Sequence, residues 1–277
     1  MKKKYRHYAL GAALGAVGVY AGMLSLLYFR QDKLIFQGEK ENPLSTLFME
    51  RFGKNAHPYV LEEQGYPTLR GWHIRPDNAK DVILVYFGGN AEHIDSVIFL
   101  SSNLPEYEFL SLHYRGYGLS EGEPSELALL DDASRLLKKL HTDYPNKKIV
   151  LFGRSLGSGI AIKMAAKHPD IVNSVVLTTP YDSIENVAAR HYKWVPVRSL
   201  LRHKFNSLQD AGNVKQPVTI IVGALDTYIP QEHAMHLRNA LTKSDVQWCV
   251  VDPADHRNIH DWNQTWVCVK DHLTKHT

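Results

Sequence analysis

Cysteine is nearly absent from this chain: Cys249 and Cys268 are the two in 277 residues. Two are too few for a disulfide framework, and without CxxC spacing they offer no zinc or redox site, so both are expected first as buried free thiols, with one disulfide between them as the lesser alternative. Charge of one sign is equally scarce. The net charge is +3, and Lys2, Lys3, Lys4 and Arg6 account for more than that excess by themselves. The remainder is near neutral and lacks the clustered basic face that releases counterions from phosphates, which excludes a nucleic-acid partner. Repeats and low-complexity tracts are missing too. With 44% hydrophobic and 22% charged residues, the composition is that of a globular domain with a full core.

Charge is missing altogether from residues 8–29, YALGAALGAVGVYAGMLSLLYF. As a helix this run spans about 33 Å, against about 30 Å of bilayer hydrocarbon, and it reads as one transmembrane helix. A cleaved signal peptide is the competing reading, since Val19 and Ala21 suit a cleavage site. Against it, the apolar run continues through Met23, Leu24 and Leu26 to Phe29, where a signal peptide would turn polar. Four basic residues precede the run, whereas Asp32 partly offsets Arg30 and Lys33 after it, so the positive-inside rule puts the N-terminus in the cytoplasm. The expected organisation is a basic cytoplasmic tail (1–7), a transmembrane helix (8–29) held in the bilayer, a linker (30–57) and a body (58–277) facing outward, into the periplasm if bacterial.

Within the body, β-branched apolar runs alternate with amphipathic stretches, the pattern of a mostly parallel sheet covered by helices on both faces. Strands are predicted at 59–63, 69–74, 82–87, 109–114, 148–152, 175–179, 218–222 and 246–251, and helices at 91–104, 126–142, 156–167, 230–241 and 261–275. Sheets of this kind bind ligands at the carboxyl ends of their strands. The loops following strands are therefore where chemistry is expected.

The strand KIVLF runs into GRSLGSG, which puts Gly153, Ser155 and Gly157 in a GxSxG turn between strand and helix. Such a turn strains the backbone at the serine and leaves no room for side chains two residues either way. A serine hydroxyl needs a histidine to take its proton and a carboxylate to orient that histidine. Asp226, at the tip of VTIIVGALDTYIP, and His256, in VQWCVVDPADHRNIH, follow Ser155 in the required order. Asp182 is the rival acid and His260 the rival base. For an oxyanion, the backbone N–H groups of Leu156 and of Asn90, the latter after Gly88 and Gly89 in YFGGNAEH, are the expected donors.

Together with YFRQDKLIFQ, LRGWHIRP, HYRGYGLSEGEPSE and VPVRSLLRHKFNS, these motifs resemble the α/β-hydrolase superfamily, and within it the serine hydrolases that carry a single N-terminal membrane anchor. The resemblance covers nearly the whole chain. It implies an α/β-hydrolase fold with an eight-stranded sheet and a helical lid at about 185–216, hydrolysis of acyl esters or thioesters, and no cofactor or metal. Two positions depart from the family pattern: Gly88 stands where a histidine is usual, and His113 where an aspartate precedes YRGYG. Because the two strands are expected to be neighbours, His113 is read as supplying the imidazole missing at Gly88.

The lid mixes Arg190, Lys193, Arg198, Arg202 and Lys204 with apolar residues, either as a solvated basic face or as a surface against anionic lipid. The function expected first is acyl-ester or thioester hydrolysis, on acyl-lipid or acyl-protein substrates. A serine aminopeptidase-like peptidase is the alternative, and a non-catalytic binding protein the third reading.

Overall fold

A computed structural model describes residues 2–38 and 53–277. Met1 and residues 39–52, half of the expected linker, lie outside the described residues. The chain runs α1 (Lys2–Ile35), β1 (Ala56–Leu61), β2 (Leu69–Ile74), β3 (Val82–Phe87), α2 (Ser96–Ser102), β4 (Glu108–Leu112), α3 (Glu126–Asp143), β5 (Lys148–Arg154), α4 (Leu156–Lys167) and β6 (Val172–Thr178). Then come α5 (Ile184–His191), α6 (Val197–Leu200), α7 (Leu208–Ala211), β7 (Val218–Gly223), α8 (Gln231–Ala240), β8 (Val246–Val251) and α9 (Asn263–His276).

The eight strands lie in the order β1-β2-β4-β3-β5-β6-β7-β8. β2 is antiparallel to both its neighbours, and every pair from β4 to β8 is parallel. The central strands are buried on both faces, as parallel strands flanked by helices must be. Alternation along β3 divides the core: Ile83, Val85 and Phe87 pack under α3 and α4, whereas Val82, Leu84 and Tyr86 pack under α2 and α9.

Several boundaries differ from the sequence reading. β1 starts at Ala56 and takes in Pro58, which an edge strand tolerates because the missing N–H faces no neighbour. α2 begins only at Ser96, since the residues before it form a turn around Glu92. α1 does not stop at residue 29 but continues to Ile35. Its last turns are tied to the segment between β6 and β7: Gln31 Nε2 donates to Leu200 O (3.2 Å), Arg202 N–H donates to Gln31 Oε1 (2.7 Å), and Asp32 pairs with Arg202 (2.8 Å) and His203 (3.0 Å). Phe36 then enters the core against His203 and Phe205.

The cysteines correct the preferred sequence reading in favour of its alternative. Cys249 on β8 and Cys268 on α9 form a disulfide rather than two free thiols. The helix packs on the sheet face beside its partner strand and brings the two Cα atoms to 6.6 Å, a bridgeable distance that a bare cysteine count does not reveal.

Candidate active site

Ser155 stands between β5 and α4 with φ 47° and ψ −116°, a left-handed conformation that costs a non-glycine residue about 1 to 3 kcal/mol. The flanking glycines make the turn feasible. A Cβ at Gly153 would lie 2.6 Å from the Gly157 carbonyl, and one at Gly157 would strike the Phe87 carbonyl on β3. The serine is thus presented at the carboxyl edge of the sheet.

Asp226 follows β7 and His256 follows β8, and both reach the same edge. Ser155 Oγ lies 3.1 Å from His256 Nε2, and His256 Nδ1 lies 2.9 Å from Asp226 Oδ2. The other Asp226 oxygen accepts the N–H groups of Tyr228 (3.0 Å) and Ile229 (2.8 Å), so this buried carboxylate is held in one orientation. The chain order of serine, acid and histidine becomes a continuous hydrogen-bonded series in space.

The rivals are engaged elsewhere. Asp182 accepts from His233 (2.8 Å) and His236 (3.0 Å) on α8 and from Asn186 (3.0 Å). His260 is bonded to Thr178 Oγ1 at 3.0 Å, and burial, reinforced by the nearby Arg154 charge, pushes its pKa down to about 3.

Asn90 and Leu156 line one cavity with Ser155. Among the described residues neither backbone N–H engages another acceptor. The carbonyl of the Asn90 donor peptide, Gly89 O, accepts from Glu92 N–H (3.4 Å), and the next carbonyl, Asn90 O, accepts from Gln37 N–H (3.2 Å) and Tyr117 Oη (3.0 Å), holding the loop from both sides. Gly88 and Gly89 form the turn before it. Gly88 O accepts from Gly157 N–H (3.1 Å) and Tyr114 Oη (2.8 Å), so the donor loop, the serine turn and β4's following loop are joined. The His113 ring lies beside Gly118, where a Cβ would come within 2.7 Å of it, and from the loop after β4 the Tyr114 hydroxyl reaches Gly88.

Two residues inside the quoted motifs have roles that the sequence did not disclose. Glu92 accepts from Tyr86 Oη (2.8 Å), Ser96 Oγ (2.7 Å) and Gly89 N–H (2.8 Å), and pairs with Arg154 at 3.3 Å. Burial pushes its carboxyl pKa up, but Arg154, His260 and the bonds to Gly89 and Ser96 more than offset this and hold it below the usual carboxylate range. Arg154 also donates to the carbonyls of His256 (3.3 Å) and Arg257 (2.9 Å). The lid cations are mostly paired: Arg190 with Glu232, Arg198 and Lys204 with Glu185, and Arg202 with Asp32. No cluster of potential metal ligands occurs among the described residues.

Fold and arrangement together define a class. Residues 82–205 match the family described as alpha/beta hydrolase fold. Over 197 residues the chain is 30% identical to an alpha/beta hydrolase of Acanthamoeba polyphaga mimivirus, covering 68% of this chain and 72% of that one. The chain therefore belongs to the α/β-hydrolase family. It is also similar to a membrane protein of Saccharomyces cerevisiae, 27% identical over 270 residues and 94% of each chain, a span that reaches into the N-terminal helix. Among solved structures, an esterase of Pyrococcus furiosus superposes with a TM-score of 0.67 at 22% identity, over 82% of this chain and 93% of that one, a likeness of fold.

Proposed function

We propose that the protein is a membrane-anchored serine hydrolase that cleaves carboxylic esters or thioesters through an acyl-enzyme on Ser155. The observation that carries this reading is the series Ser155–His256–Asp226, bonded at 3.1 and 2.9 Å, at a strained turn whose cavity is also lined by Asn90 and Leu156. Ser155 Oγ attacks the acyl carbonyl as its proton passes to His256 Nε2, and Asp226 stabilises the imidazolium. The negative charge gathers on the carbonyl oxygen between the Asn90 and Leu156 N–H groups, each such donor being worth about 2.7 to 4 kcal/mol. His256 returns the proton to the departing alcohol or thiol. Water then attacks the acyl-serine with His256 again as base, releasing the acid.

The peptidase reading is disfavoured by the charges near Ser155. A substrate amine needs an unpaired carboxylate, but Glu92 is paired with Arg154, and Asp255, whose Oδ1 accepts the N–H groups of Arg257 and Asn258, shares the cavity lining with the Arg257 and Arg154 side chains. For the topology, the disulfide suits an oxidising compartment and so supports a body facing outward with the N-terminus in the cytoplasm.

A fluorophosphonate probe applied to the full chain should label the wild type and leave Ser155→Ala unlabelled, with ester turnover falling on the order of 10³-fold or more. An unlabelled, inert wild type that is folded would sink the proposal.

A further inference from the structure

The apolar cavity at Ser155 is built by two parts of the chain that lie far apart in sequence. Leu27, Leu34 and Ile35 of α1 face Val187, Val195 and Leu200 of the lid across about 440 Å³, with Ser155, Asn90 and Leu156 also in its lining. The α1 wall is firmly seated. Leu24, Leu27, Gln31 and Ile35, at helical spacings of three and four, are the positions most shielded along this stretch. Tyr20 Oη donates to Trp194 O at 2.8 Å, and Gln31 and Asp32 hold the far end of the lid.

A second, more polar cavity of about 830 Å³ meets the first at Ser155 and includes His256 and charges of both signs, Arg154 and Arg257 with Glu92 and Asp255. The nucleophile thus sits at the junction of an apolar compartment and a polar, charged one. An ester whose acyl chain and head group differ sharply in polarity fits that junction: chain on one side, head group on the other.

The same helix that walls the apolar compartment is, among the described residues, the one long and apolar enough to cross a membrane, over Leu10–Ile35. Trp194 at the lid tip meets Tyr20, about 22 Å along α1 from Ile35. Tyr20 lies near the middle of that span rather than at its end, and both Tyr20 and Trp194 are exposed. The lid tip therefore lies alongside the segment that enters the bilayer. The chain compartment is continuous with that apolar surface.

We propose that this cavity is an acyl-chain site entered sideways from the bilayer, between α1 and the lid, and that the substrate is a membrane-resident acyl lipid. Its chain lies along α1 with the carbonyl at Ser155, and its polar head group occupies the compartment of Arg154 and Arg257. The inference rests on the reading of Ser155 as the acylated nucleophile. Ser155 Oγ forms a bond to the carbonyl carbon, the ester C–O bond breaks, and the head-group alcohol leaves with the proton from His256. The acyl group stays against α1 until water replaces the serine oxygen and the free fatty acid returns to the bilayer.

The test uses the full chain in phosphatidylcholine vesicles and a medium-chain alkyl fluorophosphonate with a terminal diazirine. Phosphonylation joins Ser155 Oγ to phosphorus and expels fluoride; irradiation then marks what the chain end touches, read by mass spectrometry. Crosslinks to α1 within residues 24–35 and to the lid within 187–201 are expected. Crosslinks from phosphonylated Ser155 that reach only residues 90–92 and 254–257, or only vesicle lipid, overturn the acyl-chain site and leave the serine hydrolase standing. No phosphonylation at Ser155 removes both readings. As a kinetic counterpart, Leu27→Trp and Leu34→Trp should each lower the ratio of long-chain to short-chain ester turnover by about tenfold or more. Phe29→Trp, at a position 78% exposed and outside the cavity, should leave that ratio unchanged. An unchanged ratio in both leucine variants overturns the proposal.

Discussion

At the scale of single residues, the Glu92 carboxylate takes N–H and O–H donors on both oxygens, and its partner Arg154 donates onward to the carbonyls of His256 and Arg257. One ion pair therefore connects the loop carrying Asn90 to the loop carrying His256. Glu92→Gln keeps the shape but drops the charge, and should lower kcat about tenfold or more with little change in KM, because misplacement rather than binding is the defect. Glu92→Ala should in addition cost about 3 to 5 kcal/mol in a denaturant melt, since it strands the largely buried Arg154. If both variants match the wild type in kcat, the pair has no positioning role. Ser155, Asp226 and His256 were legible in the sequence because each ends a strand inside a recognisable motif. Glu92 and Arg154 were not, although both lie in quoted motifs, because their roles come from each other and from carbonyls about a hundred positions away. The adjacency of the strands before Gly88 and His113 was inferred correctly, whereas the Tyr114 hydroxyl bond to Gly88 O was not legible, because it depends on the course of the loop after β4.

At the scale of elements, β2, β3, β8 and α4 were readable to the residue, being apolar runs bounded by turn residues or glycines. α2 was overextended because the turn around Glu92 is set by tertiary hydrogen bonds, and α1 was cut short because its last turn is stabilised by contacts 169 to 171 positions away. The disulfide is of the same kind, visible only once α9 lies on the sheet. Its closed loop is short, with a sequence separation of 19. Reduction, or Cys249→Ser with Cys268→Ser, should lower unfolding stability by roughly 3 kcal/mol, the loop-entropy expectation, without abolishing ester turnover. A melt that is unmoved by reductant would show that the bridge carries no stability.

At the scale of the whole molecule, burial of neutral histidines sets the response to acid. Burial pushes both His260 and His272 down to about 3, with the Arg154 charge adding to the first and His276 and Lys275 to the second. The unfolded chain takes up protons near pH 6.5 while the folded one does not. Each histidine's contribution is therefore present in full above pH 6.5 and is lost as pH falls toward 3, at about 1.4 kcal/mol per pH unit. Unfolding free energies of the wild type and of His272→Leu should diverge in slope by that amount between pH 4 and 6; parallel slopes would show that His272 titrates normally in the fold.

The seating of α1 on the lid also settles how far the enzyme can reach. A body on a loose tether would sample a hemisphere of solution and could attack an apposed surface, whereas a body clamped to its own helix at Gln31 and Asp32 would, with that helix in a bilayer, be held at one depth against one leaflet. Under the lateral-entry proposal its search is two-dimensional. The encounter rate then follows the mole fraction of substrate in the host bilayer, and added inert lipid slows the enzyme by dilution even when the total amount of substrate in the sample is unchanged.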